Sequence, residues 1–426
     1  MEALIDLALI WGGVLIAVYL AKRTFLTPVL YFLAVGAVFV NLGVLPEEPH
    51  EFIRGLAEFG IIVIMFAIGF EEQLNKFAKS VRRSWGIAFF GALAPFTVAF
   101  TVTWYFWRDF PISMMSGLAM IATAVSLTMM VLRSEGLSTT KAATRIMTSA
   151  VLDGVATLSL VAVLIPMAVG GSLPTVIELS VTILKIGVFF TIVTVLGVWV
   201  FPHPKTGWLD KIPGFRSLSL KEALGFEQGQ YATLILLLLA VVVGLLAHFF
   251  GFHPAVGAYM AGLILREEYF SFEEQKSAYQ EVKQRIDNIA FTWIGPVFFV
   301  VLGTNLVFEW TTFVSLIPET AALTFGILVA QVVSAAIAAR YTGGMLFAGS
   351  VLIGLGMLGR AELAFVVMDI AYVQNAILSD DAFYVLMFTA FWLNVIVPIA
   401  IRWWKPYYLH ELECDAVRPS SIRKKL

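Results

Sequence analysis

The chain has 426 residues, of which 59% are hydrophobic and only 14% charged, against about 25% charged in soluble domains. With a mean hydropathy of +0.87 it reads as a polytopic membrane protein. A net charge of −2 argues against a nucleic-acid partner, and a single cysteine, Cys414, excludes an intrachain disulfide, an all-cysteine zinc site and an iron–sulfur cluster.

A membrane-crossing helix needs about 20 mostly apolar residues. In chain order, windows of that kind fall at 4–21, 26–44, 52–70, 85–107, 112–132, 144–168, 175–200, 230–249, 252–266, 289–308, 313–338, 344–372 and 381–404. They predict an all-α membrane protein with about 13 spans. The first window follows Met1-Glu2 without a basic stretch and reads as a retained span rather than a signal peptide. The connection 202–229 contains Pro202, Pro204 and Pro213 and reads as a cytoplasmic linker. The charged connection 267–287 reads as a surface helix. Residues 1–404 form the transmembrane domain and 405–426 a cytoplasmic tail.

Basic residues orient these spans. With the N-terminus outside, all of the 28 Lys and Arg residues fall on the cytoplasmic side except Arg54, Arg108, Lys185 and Arg360. That asymmetry is the positive-inside signature of a plasma-membrane protein whose C-terminus is cytoplasmic. Outer connections carry Glu47-Glu48, Glu309 and Asp380-Asp381.

Two spans carry signs of interruption. Ala122-Thr123-Ala124-Val125-Ser126-Leu127-Thr128 lies in the fifth, and Gly354-Leu355-Gly356-Met357-Leu358-Gly359-Arg360 in the twelfth. Glycine loosens helical backbone, and hydroxyls replace lost ladder bonds. Paired interrupted helices at matching places are a mark of transporters built from inverted repeats, and their ends bind ions or balance charge. The plainer reading is that small residues let helices pack closely.

Charges inside the spans are few. Asp153 is the deepest, in a segment where a carboxylate costs roughly 2.5–3.5 kcal/mol on insertion scales. Arg360 and Glu362 follow the glycine-rich stretch, where an internal pair would offset part of their desolvation. Glu58 and Asp369 lie near outer ends, and Lys185 is placed to snorkel. A buried carboxylate suits exchange. Burial favours its protonated form and a nearby cation its ionised form, so proton and cation compete for one group.

These segments, in order, resemble the second family of monovalent cation:proton antiporters, which includes bacterial Na⁺/H⁺ exchangers and Kef-type K⁺ efflux systems. The resemblance rests on Leu56-Ala57-Glu58-Phe59-Gly60 through Gly69-Phe70-Glu71, on Thr123-Ala124-Val125-Ser126-Leu127-Thr128, and on Val151-Leu152-Asp153-Gly154-Val155. It continues with His253-Pro254-Ala255-Val256-Gly257-Ala258-Tyr259, Gly295-Pro296-Val297-Phe298-Phe299, and Gly356-Met357-Leu358-Gly359-Arg360-Ala361-Glu362. It implies two crossed discontinuous helices and a mobile core formed by residues of about 52–168 and 289–372. It further implies dimerisation helices in the remainder, an elevator-like movement and a homodimer. Two positions depart from the family pattern. Typical members carry Asp-Asp, Asn-Asp or Gln-Asp in the ion-site helix, and the second position, the principal carrier acid there, is Gly154 in this chain. Many carry Lys or Arg in the eleventh span, where this chain has Gln331.

The expected function is therefore exchange of Na⁺ or K⁺ for protons across the inner membrane. It requires no enzyme chemistry and no cofactor, and its partners are the cation, the proton and the lipid bilayer. Asp153 is the candidate carrier and metal-cation ligand, with Glu362 in the same ion- and proton-binding set. Thr123, Ser126 and Thr128 supply oxygen ligands or stabilise unwound backbone. Glu362 is a candidate accessory acid, and Arg360 with Gln331 balances charge. A channel-like K⁺ efflux protein, or a carrier of another solute on the same scaffold, is the competing expectation.

Overall fold

The computed structural model describes residues 1–24, 26–71, 74–169, 176–196, 220–270, 278–307 and 309–417. Most of the 202–229 linker, including Lys205, Lys211 and Arg216, lies outside them, as do 271–277 and the end of the tail. Every regular element among the described residues is helical. In chain order these are α1 (Glu2–Ala21), α2 (Pro28–Asn41), α3 (Glu51–Glu71), α4 (Leu74–Trp107), α5 (Phe110–Ala119) and α6 (Val125–Ser134). There follow α7 (Lys141–Val169), α8 (Val176–Val195), α9 (Leu220–Leu224), α10 (Ala232–Phe249), α11 (Pro254–Leu263) and α12 (Ala278–Asn288). The last are α13 (Gly295–Thr304), α14 (Trp310–Ser315), α15 (Ile317–Tyr341), α16 (Phe347–Gly356), α17 (Glu362–Asp369) and α18 (Asp380–Val417).

Eight helical segments among the described residues are long and apolar enough to cross a membrane, and the shorter apolar α2, α5 and α16 accompany them. The predicted windows fall on these helices or on consecutive pairs of them. The fifth and twelfth windows split into α5–α6 and α16–α17. The charged 267–287 connection contains α12, which buries Val282 and Ile286.

The chain forms two compact units. The first comprises Met1–Val14, Leu42–Lys76 and Pro174–Asn305. Within it, α3 packs against α11 and α13, and α10 packs against α11. Glycines set these distances. A Cβ on Gly69 would lie 2.1 Å from the carbonyl oxygen of Tyr259, and one on Gly262 would lie 2.3 Å from that of Phe66. Backbone meets backbone there, the packing mode expected where lipid removes the hydrophobic drive between helices.

The second unit comprises Leu15–Asn41, Phe77–Leu173 and Leu306–Leu426. In it α15 packs on α16 and α18, α5 on α7, and α17 on α5. Residues 42–76 and 174–305 gather in the first unit. α18 packs on α15 and α16 and bonds into the interruption between α16 and α17.

Candidate functional site

The site lies in the second unit, where two interrupted helix pairs meet. Asp109 caps the start of α5, its Oδ1 accepting the Ile112 N–H at 2.8 Å. α5 then stops at Ala119 and α6 begins at Val125. α16 stops at Gly356 and α17 begins at Glu362. The interruptions are 120–124 and 357–361. They are joined directly, because the Ala124 N–H donates to the Gly359 carbonyl at 2.8 Å. Thr128 adds a second link, its Oγ1 donating to the Gly356 carbonyl at 2.7 Å. Each bond satisfies a backbone group that the helix break would otherwise leave unpaired in a non-aqueous surrounding.

The breaks sit a few residues from where the sequence places them. Val125, Ser126, Leu127 and Thr128 open α6 instead of unwinding, and Gly354 and Gly356 lie inside α16. Those two glycines serve close approach. A Cβ on Gly354 would lie 2.6 Å from the Val332 carbonyl oxygen, and one on Gly356 would lie 2.5 Å from Ile146 Cδ1.

Asp153 is on α7, 1% exposed. Thr123 Oγ1 donates to its Oδ2 at 3.1 Å. Thr123 lies two residues before the start of α6, so its bond ties the carboxylate to the interruption on the side where that helix dipole is positive. Thr157, one turn along α7 from Asp153, is wholly buried, and its Oγ1 has no hydrogen-bond partner among the described residues. Residues four apart share a helix face, which puts this hydroxyl on the Asp153 side of α7.

Arg360 is also wholly buried. Its Nη1 donates to the carbonyls of Met357 at 2.9 Å and Gly359 at 3.1 Å. Its Nη2 donates to Gln331 Oε1 at 2.9 Å. The guanidinium thus lies just past the C-terminal end of α16, where exposed carbonyls concentrate negative potential. Asp153 and Arg360 interact electrostatically across the crossing. Each charge faces a helix end of opposite sign, which is how two interrupted helices can hold ionic groups in a dry interior.

The structure therefore brings together Asp153, Thr123, Thr128, Arg360 and Gln331. It does not give Arg360 the Glu362 partner expected from the sequence, since the guanidinium binds carbonyls and Gln331 instead. Glu362 is partly exposed in the first turn of α17, where its charge complements the helix dipole. The side chain of Ser126 lies outside the described residues. Glu58 and Lys185 are exposed. Asp369 is buried and accepts a hydrogen bond from Gln374 Nε2 at 2.7 Å. Among the described residues no cluster of three His, Cys, Asp or Glu side chains is arranged to hold a metal ion.

Two residues escaped the sequence reading. Thr157 carried a usable signal, its four-residue spacing from Asp153. Asn394 is a lone amide in the apolar stretch of α18, 1% exposed, and binds the backbone of Arg360. A single Asn in an apolar span announces a partner without saying which.

The chain matches the family model described as sodium/hydrogen exchanger, transmembrane, over residues 12–404. It is 25% identical over 357 residues to the Na(+)/H(+)-K(+) antiporter GerN of Bacillus cereus, covering 84% of each chain. It is 22% identical over 407 residues to the Na(+)/H(+) antiporter of Enterococcus hirae, covering 95% of this chain and 98% of that one. Its fold is similar to that of the sodium proton antiporter MjNhaP1 from Methanocaldococcus jannaschii at pH 8, with a TM-score of 0.69 and 13% identity. That match covers 94% of this chain and 96% of the other.

Proposed function

The chain belongs to the sodium/hydrogen exchanger family, and we propose that it is a secondary transporter exchanging a monovalent cation, Na⁺ or K⁺, for protons by alternating access. The observation that carries this reading is Asp153, a carboxylate 1% exposed and held by Thr123 at the junction of two interrupted helices.

A single acid can hold either a proton or a partly dehydrated cation. Thr123 and Thr157 offer hydroxyl oxygens beside it, replacing part of the ion's hydration shell. Arg360 stays bound to the Met357 and Gly359 carbonyls just past α16 and offsets the charge of the helix ends in both states. If the carboxylate changes its access only when neutralised by proton or cation, exchange follows without an energy source other than the gradients. Gly154 places no second acid beside Asp153, so one carboxylate carries both ions in turn.

On the same reading, about 13 spans cross an inner membrane with the N-terminus outside and the C-terminus cytoplasmic, supported by the distribution of basic residues. A core of about 52–168 and 289–372, which contains the site, moves as a body in a homodimer, as the family resemblance implies.

The test is reconstitution of the purified protein into proteoliposomes, with Na⁺, K⁺ and Li⁺ scanned for cation-driven proton movement. Saturable exchange with at least one cation, abolished by Asp153→Asn, is expected. Full exchange by that variant would remove Asp153 from the site. Inactivity of the unaltered protein with every cation would overturn the antiporter reading. Cation currents persisting without proton coupling would favour a channel.

A further inference from the structure

We propose that Asn394 is a positioning residue for exchange: by clamping both backbone polar groups of Arg360, it keeps the Arg360 guanidinium on the Met357 and Gly359 carbonyls and Gln331 and away from Asp153. The proposal rests on the antiporter reading.

Arg360 lies in the non-helical segment 357–361, so neither its N–H nor its C=O has a place in a helical ladder. Both are buried, where an unpaired backbone group costs about 1–3 kcal/mol. One side chain of an uninterrupted neighbouring helix satisfies both. Asn394 Oδ1 accepts the Arg360 N–H at 3.0 Å, and Asn394 Nδ2 donates to the Arg360 C=O. An amide has one acceptor and one donating end, so only this orientation serves both groups. Gly359 makes room for it, since a Cβ there would lie 3.3 Å from Asn394 Oδ1 and 3.1 Å from Ala124 Cβ.

The clamp has a consequence for the side chain it anchors. With its peptide planes fixed, Arg360 reaches Met357, Gly359 and Gln331. Asp153 is the opposite charge acting on it across the crossing. A guanidinium released from the clamp is drawn toward that carboxylate, because attraction between unit charges is strong in a low-dielectric interior. It would then act as an internal cation competing with the transported one. Asn394 thus guards the carrier by holding the backbone of its competitor.

A purely structural Asn would affect how much protein folds and leave cation affinity alone. The separating measurement is cation-dependent proton movement in proteoliposomes, using the cation that the unaltered protein exchanges. For Asn394→Ala the apparent cation KM is expected to rise about tenfold, with a smaller change in Vmax per folded protein. Asn394→Asp keeps the acceptor for the Arg360 N–H and is expected to fall between the two. In a Gln331→Ala background, where the guanidinium has already lost an anchor, Asn394→Ala should add less than it does alone. An unchanged KM with loss only of Vmax or thermal stability overturns the proposal, and so does full additivity.

Hydrogen–deuterium exchange on the unaltered protein covers the case in which the variants do not fold. The Arg360 amide should exchange slowly, and rapid exchange overturns the clamp. An unaltered protein that moves no protons with any cation, yet protects this amide, would instead sink the antiporter reading.

Discussion

Thr123 Oγ1 donates to Asp153 Oδ2 across 3.1 Å, so the acid on the unbroken α7 is tied to the broken segment that opens α6. This bond couples the candidate carrier to the crossing. A hydrogen bond to a charged group contributes about 1.5–3 kcal/mol. Thr123→Val, which keeps the shape and removes the hydroxyl, should lower transport efficiency about tenfold. Thr123→Ser should retain most of it. Proteoliposome exchange measured on both variants checks this, and equal activity for Val and Ser would contradict it.

Thr157 offers a sharper separation of binding from stability. Its hydroxyl is buried without a protein partner among the described residues. Replacing an unsatisfied buried hydroxyl by a methyl group removes a desolvation cost and leaves stability equal or higher. If that oxygen ligates the cation, Thr157→Val raises the apparent cation KM while the thermal midpoint does not fall. A variant that loses stability and keeps its KM would remove Thr157 from the site.

The glycines of α16 should differ in tolerance. A Cβ on Gly354 meets the Val332 backbone carbonyl, which can move only with its helix. A Cβ on Gly356 meets the tip of Ile146, a side chain that can change rotamer. Gly354→Ala should therefore be the more destabilising, by about 1–3 kcal/mol. Thermal unfolding in detergent, compared between the two variants, decides the order.

Glu135, at the end of α6, binds Lys405 Nζ at 3.1 Å and Arg402 Nε at 3.0 Å from α18. Lys405 first and Arg402 second hold its carboxyl below the usual glutamate range. A lowered folded-state value means stability that is present at neutral pH and lost as pH falls through that value, below the ordinary 4.5. Arg402 is largely exposed and Lys405 partly so, which leaves these ion pairs worth at most about 1 kcal/mol. Glu135→Gln should lower the thermal midpoint slightly at pH 7. The difference should shrink as pH falls through that lowered value, and a gap that stays constant in acid would contradict the assignment.

Glu411 closes the other end of the same contact. Its carboxylate oxygens accept the N–H groups of Ala348 at 2.8 Å and Gly349 at 2.9 Å, at the start of α16, where Leu346 provides no side-chain cap. The Trp404 indole N–H donates to the Ala348 carbonyl at 2.9 Å. The extension of α18 thus fixes the start of α16 in the second interrupted pair. Glu411→Ala should cost about 1 kcal/mol, the usual value of a lost cap. Faster hydrogen exchange over residues 347–350 would report it directly.

The legibility of this chain follows the range of each interaction. Apolar windows announce helices because a span must satisfy its own backbone in lipid, a demand written into consecutive residues. Asp153 was legible for the same reason, as an expensive charge in an apolar run. The hydroxyl and glycine clusters marked the two interrupted helices but not their function. Gly354 and Gly356 looked like points of unwinding, whereas their lack of a Cβ is used against Val332 and Ile146, residues distant in sequence.

By itself, then, the sequence determined an all-helical membrane protein, its two interrupted helices and the acid beside them, because length, hydropathy and local charge are properties of neighbouring residues. Tertiary structure alone decided what those groups bind. Arg360 sits between Glu362, two residues along, and Gln331 and Asn394, each about thirty positions away, and it takes the distant pair. The nearer acid lies on the start of α17, while the open carbonyls at the end of α16 draw the guanidinium the other way. Only the folded crossing sets those helix ends side by side.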